Sequence, residues 1–203
     1  MNTEQAVRFE QADHGEEAAR AVLYGLLSNL FYAPPSQALL DDIAATGADG
    51  DGPLQHAWTE LAAACSTAQQ EAVREEYESL FIGVGKPEVM LYGSYYLSGF
   101  MMEKPLAELR TDLARLGIER AADVTESEDH LATLCAVMRY LIESDDASHG
   151  LHAQHAFFSA HMQKWATICC DAVEAHPQAA LYRSVARLAR TFFEVEAQAF
   201  DML

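Results

Sequence analysis

The stretch EYESLFIGVGKPEVMLYGSYYL, Glu76 to Leu97, sets the terms on which the rest of the chain is read. Its first half has helical periodicity, with Tyr77, Leu80 and Phe81 on one apolar face. It stops at Ile82-Gly83-Val84-Gly85, where Gly83 and Gly85 supply a helix C-cap and a sharp reversal. Its second half carries Val89, Met90, Leu91, Tyr92, Tyr95 and Tyr96 and almost no charge. Connecting segments are normally polar because their backbone faces water, so this one is packed, or it presents apolar surface to a partner. Tyrosine, a stiff apolar body with one polar atom, suits either role, and both readings stand.

Working outward, helical periodicity continues on both sides. From Glu16 the positions Val22, Leu23, Leu26, Leu27, Leu30 and Phe31 form a stripe that Pro34-Pro35 ends, since proline lacks a donor and restricts its predecessor. A short helix is predicted over 37–45, and another opens at Pro53 and runs through Trp58 and Leu61 to Cys65. Thr67 is placed to cap the helix that carries Val73, Tyr77, Leu80 and Phe81. Beyond the aromatic connection, Leu106, Leu109, Leu113 and Leu116 mark a helix that Gly117 ends. Its successor begins within TESEDHL, capped by Thr125 or Ser127, with Leu131, Leu134, Cys135, Met138, Leu141 and Ile142 on its apolar face. A polar run, 144–150, leads into one long helix through Phe157, Phe158, Met162, Trp165 and Cys169. Pro177 interrupts it, and Leu181, Val185, Leu188, Phe192 and Val195 define the last helix.

No segment alternates with the two-residue period of a strand, and no internal repeat occurs, so the fold class is all-α. With 203 residues, 50% of them hydrophobic, the chain is read as one helical domain spanning 1–203, with 1–15 as a flexible start. Two connections are long for a helical bundle, Gly83 to about Phe100 and Gly117 to Thr125, and long connections in compact folds tend to carry function.

Lys and Arg number 13 against 31 Asp and Glu, a formal charge of -18. That balance repels phosphate backbones and anionic lipid, which sets aside nucleic acid and membrane as partners, and it draws in cationic ligands. The four cysteines, Cys65, Cys135, Cys169 and Cys170, form no CxxC pair and sit in apolar helical contexts, as buried thiols in a reducing compartment do. The polar, acidic start lacks the basic and apolar regions of a secretory leader, and no apolar run reaches membrane-spanning length. On both features the protein is expected in the cytoplasm.

Four constellations bear on chemistry. SEDHL, 127–131, sets two carboxylates and an imidazole within one turn at a helix start. This suits acid/base work, a metal, a cation receptor or simple compensation of the helix dipole. His149, His152, His155 and His161 are spaced by threes and six, which keeps imidazoles off a common face, so they read as surface histidines rather than metal ligands. Gly83-Val84-Gly85 with Lys86 lacks phosphate-loop spacing and follows a helix. The fourth is the tyrosine connection itself. No nucleophile elbow or other catalytic signature is present.

Taken together, EYESLFIGVG with downstream YGSYYL, then EDHL at 128–131, then FFSAHMQKW at 157–165 followed by LYRSVARLARTFFEVE, resemble the TorD/DmsD family of redox-enzyme maturation proteins. These are cytoplasmic chaperones for molybdenum-cofactor oxidoreductases exported by the twin-arginine route. The resemblance spans most of the chain, with the blocks in family order. Val84, Met90, Leu91 and Lys164 stand where the family usually has proline, which is expected to loosen the connection.

The resemblance implies a single helical bundle of the family's type, no catalysis, and binding of a client's twin-arginine leader, held from export until folding and cofactor insertion are complete. Such a leader joins two arginines to an apolar run, so its receptor needs carboxylates beside an apolar groove. The expected peptide site is Glu126, Glu128 and Asp129 for the cationic part. Leu91, Tyr92, Gly93, Ser94, Tyr95, Tyr96 and Phe100 would take the apolar part, with His130 orienting Asp129. Glu76, Tyr77, Leu80, Phe81, Gly83, Gly85, His161 and Trp165 are assigned to structure. No metal or cofactor is expected. Guanine nucleotide enters only because some relatives of the family bind it, and the chain is expected as a monomer or a dimer that exchanges helices at 144–150. The competing readings are a metal-dependent hydrolase built on His130 with the histidine cluster, and a generic acidic adaptor.

Overall fold

The computed structural model describes residues 14–83, 85–101, 103–120 and 126–203. Val84, Thr125 and most of the start expected to be flexible lie outside them. Ten α-helices follow one another among the described residues, with no strand: α1 (His14–Tyr32), α2 (Gln37–Ala45), α3 (Pro53–Cys65), α4 (Gln70–Tyr77), α5 (Gly93–Ser98), α6 (Lys104–Arg115), α7 (Leu131–Glu143), α8 (Leu151–His161), α9 (Ala166–Ala175) and α10 (Leu181–Asp201).

Local chemistry sets most of these bounds. The Ser36 hydroxyl accepts from the Leu39 amide at 3.3 Å and starts α2 directly after Pro34-Pro35. Pro53 sits in the first turn of α3 and Pro105 in that of α6, where a missing N–H costs nothing. α6 ends on Gly117 at φ +69, and the Ile118 amide reaches back to Leu113 O while the Gly117 amide reaches Ala114 O, the paired bonds of a Schellman motif.

Five expectations are corrected. Thr67 does not cap α4: Gln69 precedes it without a side-chain cap, and the Thr67 hydroxyl turns back to Ala64 O. α4 passes into a π-helical turn, Glu78–Ile82, before Gly83. The connection from Gly83 to Phe100 contains α5. The helix after it starts at Leu131 with His130 as cap, three residues later than a Ser127 cap would put it. The long helix from Phe157 to Cys169 is two, because residues 162–165 form a turn that reorients α9 from α8.

α1 packs along α7, α10 lies against α9 and α3, α2 against α3, and α8 against α7 and α6. Buried side chains such as Leu27, Leu61, Leu134, Phe158, Cys170 and Phe192 form one apolar cluster, against which half-buried Tyr96 of α5 packs. All four cysteines are buried in it. Burial raises their pKa, that of Cys65 to about 11, so the thiols stay protonated.

Three polar devices hold the helices in register. The Glu76 carboxylate, at the end of α4, accepts the amides of Ala180, Leu181 and Tyr182 at 2.7, 3.1 and 2.8 Å and so caps α10. Its neighbour Tyr77 donates its hydroxyl to Phe31 O and Tyr32 O, carbonyls left open at the end of α1. Arg20 of α1 forms a two-pronged pair with Glu196 of α10, at 2.7 and 2.8 Å, which Tyr24 joins at 2.9 Å, and Arg20 also bonds Gln154 of α8 at 3.1 Å. The polar run 144–150 is tied down too. Asp146 caps a 3-10 turn, Ala147–His149, and His149 bonds Ser144 Oγ and Leu116 O.

Candidate functional site

The site starts from a turn that only glycine can make. Gly83 has φ +63, and a Cβ there would lie 2.5 Å from Lys86 O. The chain reverses, the Val89 amide returns to Leu80 O at 2.9 Å, and residues 91–93 then run beside 129–131. Tyr92 and His130 form a single antiparallel bridge, flanked by Gly93 N–H to Asp129 O at 2.9 Å and Leu131 N–H to Leu91 O at 2.8 Å. Two segments more than thirty residues apart in sequence are thus locked backbone to backbone. The looser connection expected from the missing prolines is not what 89–93 shows, because these hydrogen bonds fix it instead.

Side chains complete the lock. Asp129 is 3% exposed and points inward. Its Oδ2 accepts both the amide, at 2.9 Å, and the hydroxyl of Ser94, and its Oδ1 accepts the Ser127 hydroxyl at 2.6 Å. Ser94 lies in the first turn of α5, so Asp129 caps that helix from another part of the chain. His130 Nδ1 accepts the Ala132 amide at 3.2 Å and caps α7, and its ring meets the Tyr92 ring edge-on. Burial lowers the His130 pKa against the pull of Glu126 and Asp129, which keeps the imidazole neutral. His130 therefore does not orient Asp129; the two serines do.

These contacts divide the expected peptide residues. Leu91, Gly93, Ser94, Asp129 and His130 are buried in the joint, so Leu91 lines no groove and the carboxylate of Asp129 is already taken up by the protein's own donors. A Cβ on Gly93 would lie 3.0 Å from the Trp165 indole, which stacks on Tyr96 and donates to His161 O at 2.6 Å. The outer part is Tyr92, Tyr95, Tyr96, Phe100 and Glu126, and Glu128 is buried beside it. Tyr92 donates to Glu126 Oε1 at 2.7 Å, and burial, with that bond, raises its pKa. Tyr95 packs on Tyr96 with the Lys86 ammonium over its ring, and Phe100 is 70% exposed.

Glu128 takes Arg110 Nη2 on Oε2 at 2.8 Å, and Arg120 Nε stands 3.6 Å from Oε1. Burial opposes its charge, but the Arg110 hydrogen bond, a backbone bond and the two guanidinium charges hold its pKa below the usual range. Beside it opens a cleft of about 490 Å³ between the end of α1, the Schellman turn of α6 and α7. Tyr32, Leu113, Ile118, Val137 and Tyr140 give it apolar walls, and Glu119, Arg120 and Glu128 line it too. Sequence reading singled out the connection from Gly117 but missed the cleft. Its α1 and α7 walls come from positions such as Ser28, Tyr32, Ala136 and Tyr140, whose types carry no signal on their own.

The histidine cluster disperses. His149 is buried rather than on the surface, His155 stacks on Phe200, and His161 bonds Asp112 at 3.0 Å. Among the described residues no three His, Cys, Asp or Glu side chains are grouped to hold a metal, and no helix is long and apolar enough to cross a membrane.

Comparison with known proteins supplies an independent line. A family model described as nitrate reductase delta subunit matches residues 48–171, more than half of the chain. Chaperone protein TorD of Vibrio cholerae, in three strains, is 27% identical over 207 aligned positions, covering 91% of this chain and 93% of that protein. A crystal structure from Archaeoglobus fulgidus, described as a candidate redox enzyme maturation protein, superposes with a TM-score of 0.59 at 20% identity over 94% of this chain and 99% of that one, a likeness of fold.

Proposed function

Because the chain belongs to the nitrate reductase delta subunit family, the TorD/DmsD group of non-catalytic redox-enzyme maturation chaperones, we propose that it binds the twin-arginine leader of a molybdenum-cofactor oxidoreductase in the cytoplasm. The whole chain acts as one helical domain, holding the leader from export until the client has folded and received its cofactor.

The observation that carries this reading is the joint between 91–94 and 126–131. It brings Tyr92 onto the Glu126 carboxylate, with Tyr95, Tyr96 and Phe100 following in the same segment, while Glu128 lines an apolar cleft. An arginine pair followed by an apolar run matches that order of charge and grease. Leu91, Gly93, Ser94, Asp129 and His130 act as the frame of the site rather than as its contact surface. The hydrolase reading loses its basis, since His130 is spent on capping α7 and the other histidines face different partners.

Calorimetric titration with a synthetic twin-arginine leader tests the proposal. Glu126→Gln and Phe100→Ser are each expected to weaken binding about tenfold, as is replacing both leader arginines by glutamine. Equal affinity for the arginine and glutamine leaders overturns it, and would favour a generic acidic adaptor.

A further inference from the structure

Glu128 is a guanidinium site that is already filled, and we propose that Arg110 and Arg120 are resident stand-ins which an arginine of the client displaces. The inference rests on the leader-binding reading above and adds how that site is regulated. The Glu128 side chain is 11% exposed, whereas those of Arg110 and Arg120 are 55% and 40% exposed. The carboxylate is a fixed part of the wall, and two guanidinium groups reach it from the solvent side, each facing a different oxygen. Both arginines stand partly in solvent, and an incoming guanidinium replaces one charge-assisted pair on Glu128 by another of the same chemistry, so exchange is nearly balanced.

The residents also serve when no client is present. A nearly buried carboxylate with no cation nearby would carry an uncompensated charge, and Arg110 and Arg120 remove that cost. Arg120 further donates to the Glu126 carbonyl at 3.2 Å, which steadies the turn that leads into Asp129. The same carboxylate lines the apolar cleft with Leu113, Ile118 and Val137. A peptide whose arginine takes the place of a resident therefore lays its next apolar side chains over that cleft. The residents act as competitors that lower affinity for any cation and leave selection to the ligand that also fills the cleft.

The test is calorimetry on the full chain with a twin-arginine leader, with its di-lysine analogue and with a blocked Arg-Arg-Leu-Leu peptide. Arg110→Gln/Arg120→Gln is expected to bind the arginine leader and the short peptide about three- to tenfold more tightly than the unmodified chain, with a smaller gain for the lysine leader. Arg74→Gln/Arg183→Gln removes the same two charges elsewhere on the surface and is expected to change affinity by less than about twofold. Adding Glu128→Gln to the Arg110/Arg120 variant is expected to abolish the gain, with thermal melts confirming that each variant is folded. If the Arg110/Arg120 variant binds no tighter than the charge-matched control, the inference is overturned even where leader binding stands. If the unmodified chain ignores the leader while the variant binds it, self-occupancy stands and the function reading falls. If neither binds, both fall.

Discussion

The amide and the hydroxyl of Ser94 donate to the same oxygen of Asp129, whose other oxygen takes the hydroxyl of Ser127. One carboxylate thereby starts α5 and fixes the turn before α7. Asp129→Ala would strand these donors in a buried place, at a cost of about 3 kcal/mol in urea unfolding. Asp129→Asn keeps an acceptor for Ser94 and should lose less than half of that. Leader affinity is expected to fall in step with stability across the two variants, as a framing residue requires.

Gly93→Ala is expected to destabilise by about 1–3 kcal/mol, since its new methyl must push the Trp165 indole or tilt α5. Trp165 is stacked on Tyr96 and bonded to His161 O, so neither partner moves freely. Urea unfolding followed by tryptophan emission reads both effects, because a displaced indole changes the native signal as well as the midpoint.

Glu76→Ala removes the carboxylate that caps α10 and should cost about 2 kcal/mol, with Glu76→Gln costing about half of that because one acceptor oxygen remains. Hydrogen exchange at the first amides of α10, Ala180 to Tyr182, should speed up in both. Unchanged exchange there would show that the three hydrogen bonds contribute nothing to protection.

Stability should fall in mild acid. The pKa values of His130 and His161 both lie below their ordinary 6.5, because burial outweighs the pull of Glu126 and Asp129 on one and of Asp112 and Glu108 on the other. Each stays neutral in the folded chain while its unfolded counterpart charges, so the unfolded state binds more protons. Stability from this source is full above about pH 7.5 and declines as pH drops through 6.5, with a slope approaching about 1.4 kcal/mol per pH unit for each histidine. Urea midpoints measured from about pH 7.5 to about 5.5 check this. His130→Asn/His161→Gln should flatten the curve.

Local backbone chemistry made part of the structure legible in sequence, though not the side-chain contacts of Thr67 and His130. Pro34-Pro35, Pro53 and Gly117 mark helix bounds that hold, because proline and glycine act through their own backbone. α5 was hidden, since GSYYLS is too short to show a period and owes its start to Asp129, a cap supplied from 35 residues away. The break between α8 and α9 was hidden because apolar spacing runs on through Met162 and Trp165, the buried first and last residues of the turn. Within the site the direction of the side chains was not legible. Sequence shows that Asp129 is an acid near an aromatic connection, and only packing shows that it faces two serines. The cleft and the Arg20–Glu196 pair were invisible for the same reason, being made by helices far apart in sequence.

The partners that α10 finds carry a consequence for how the protein is made. Glu196 meets Arg20 across 176 residues, the Tyr182 hydroxyl reaches Leu30 O across 152, and Glu76 waits for amides 104 to 106 residues further on. On the ribosome, α1 and α4 emerge long before the helix that holds them in register, and contacts of such separation form late. A nascent or C-terminally shortened chain would display the tyrosines and acids of the proposed leader site without the scaffold that aligns them. α10, made after all of these segments, is thus the element that brings them into register, and the chaperone depends on its own late contacts before it can act on a client.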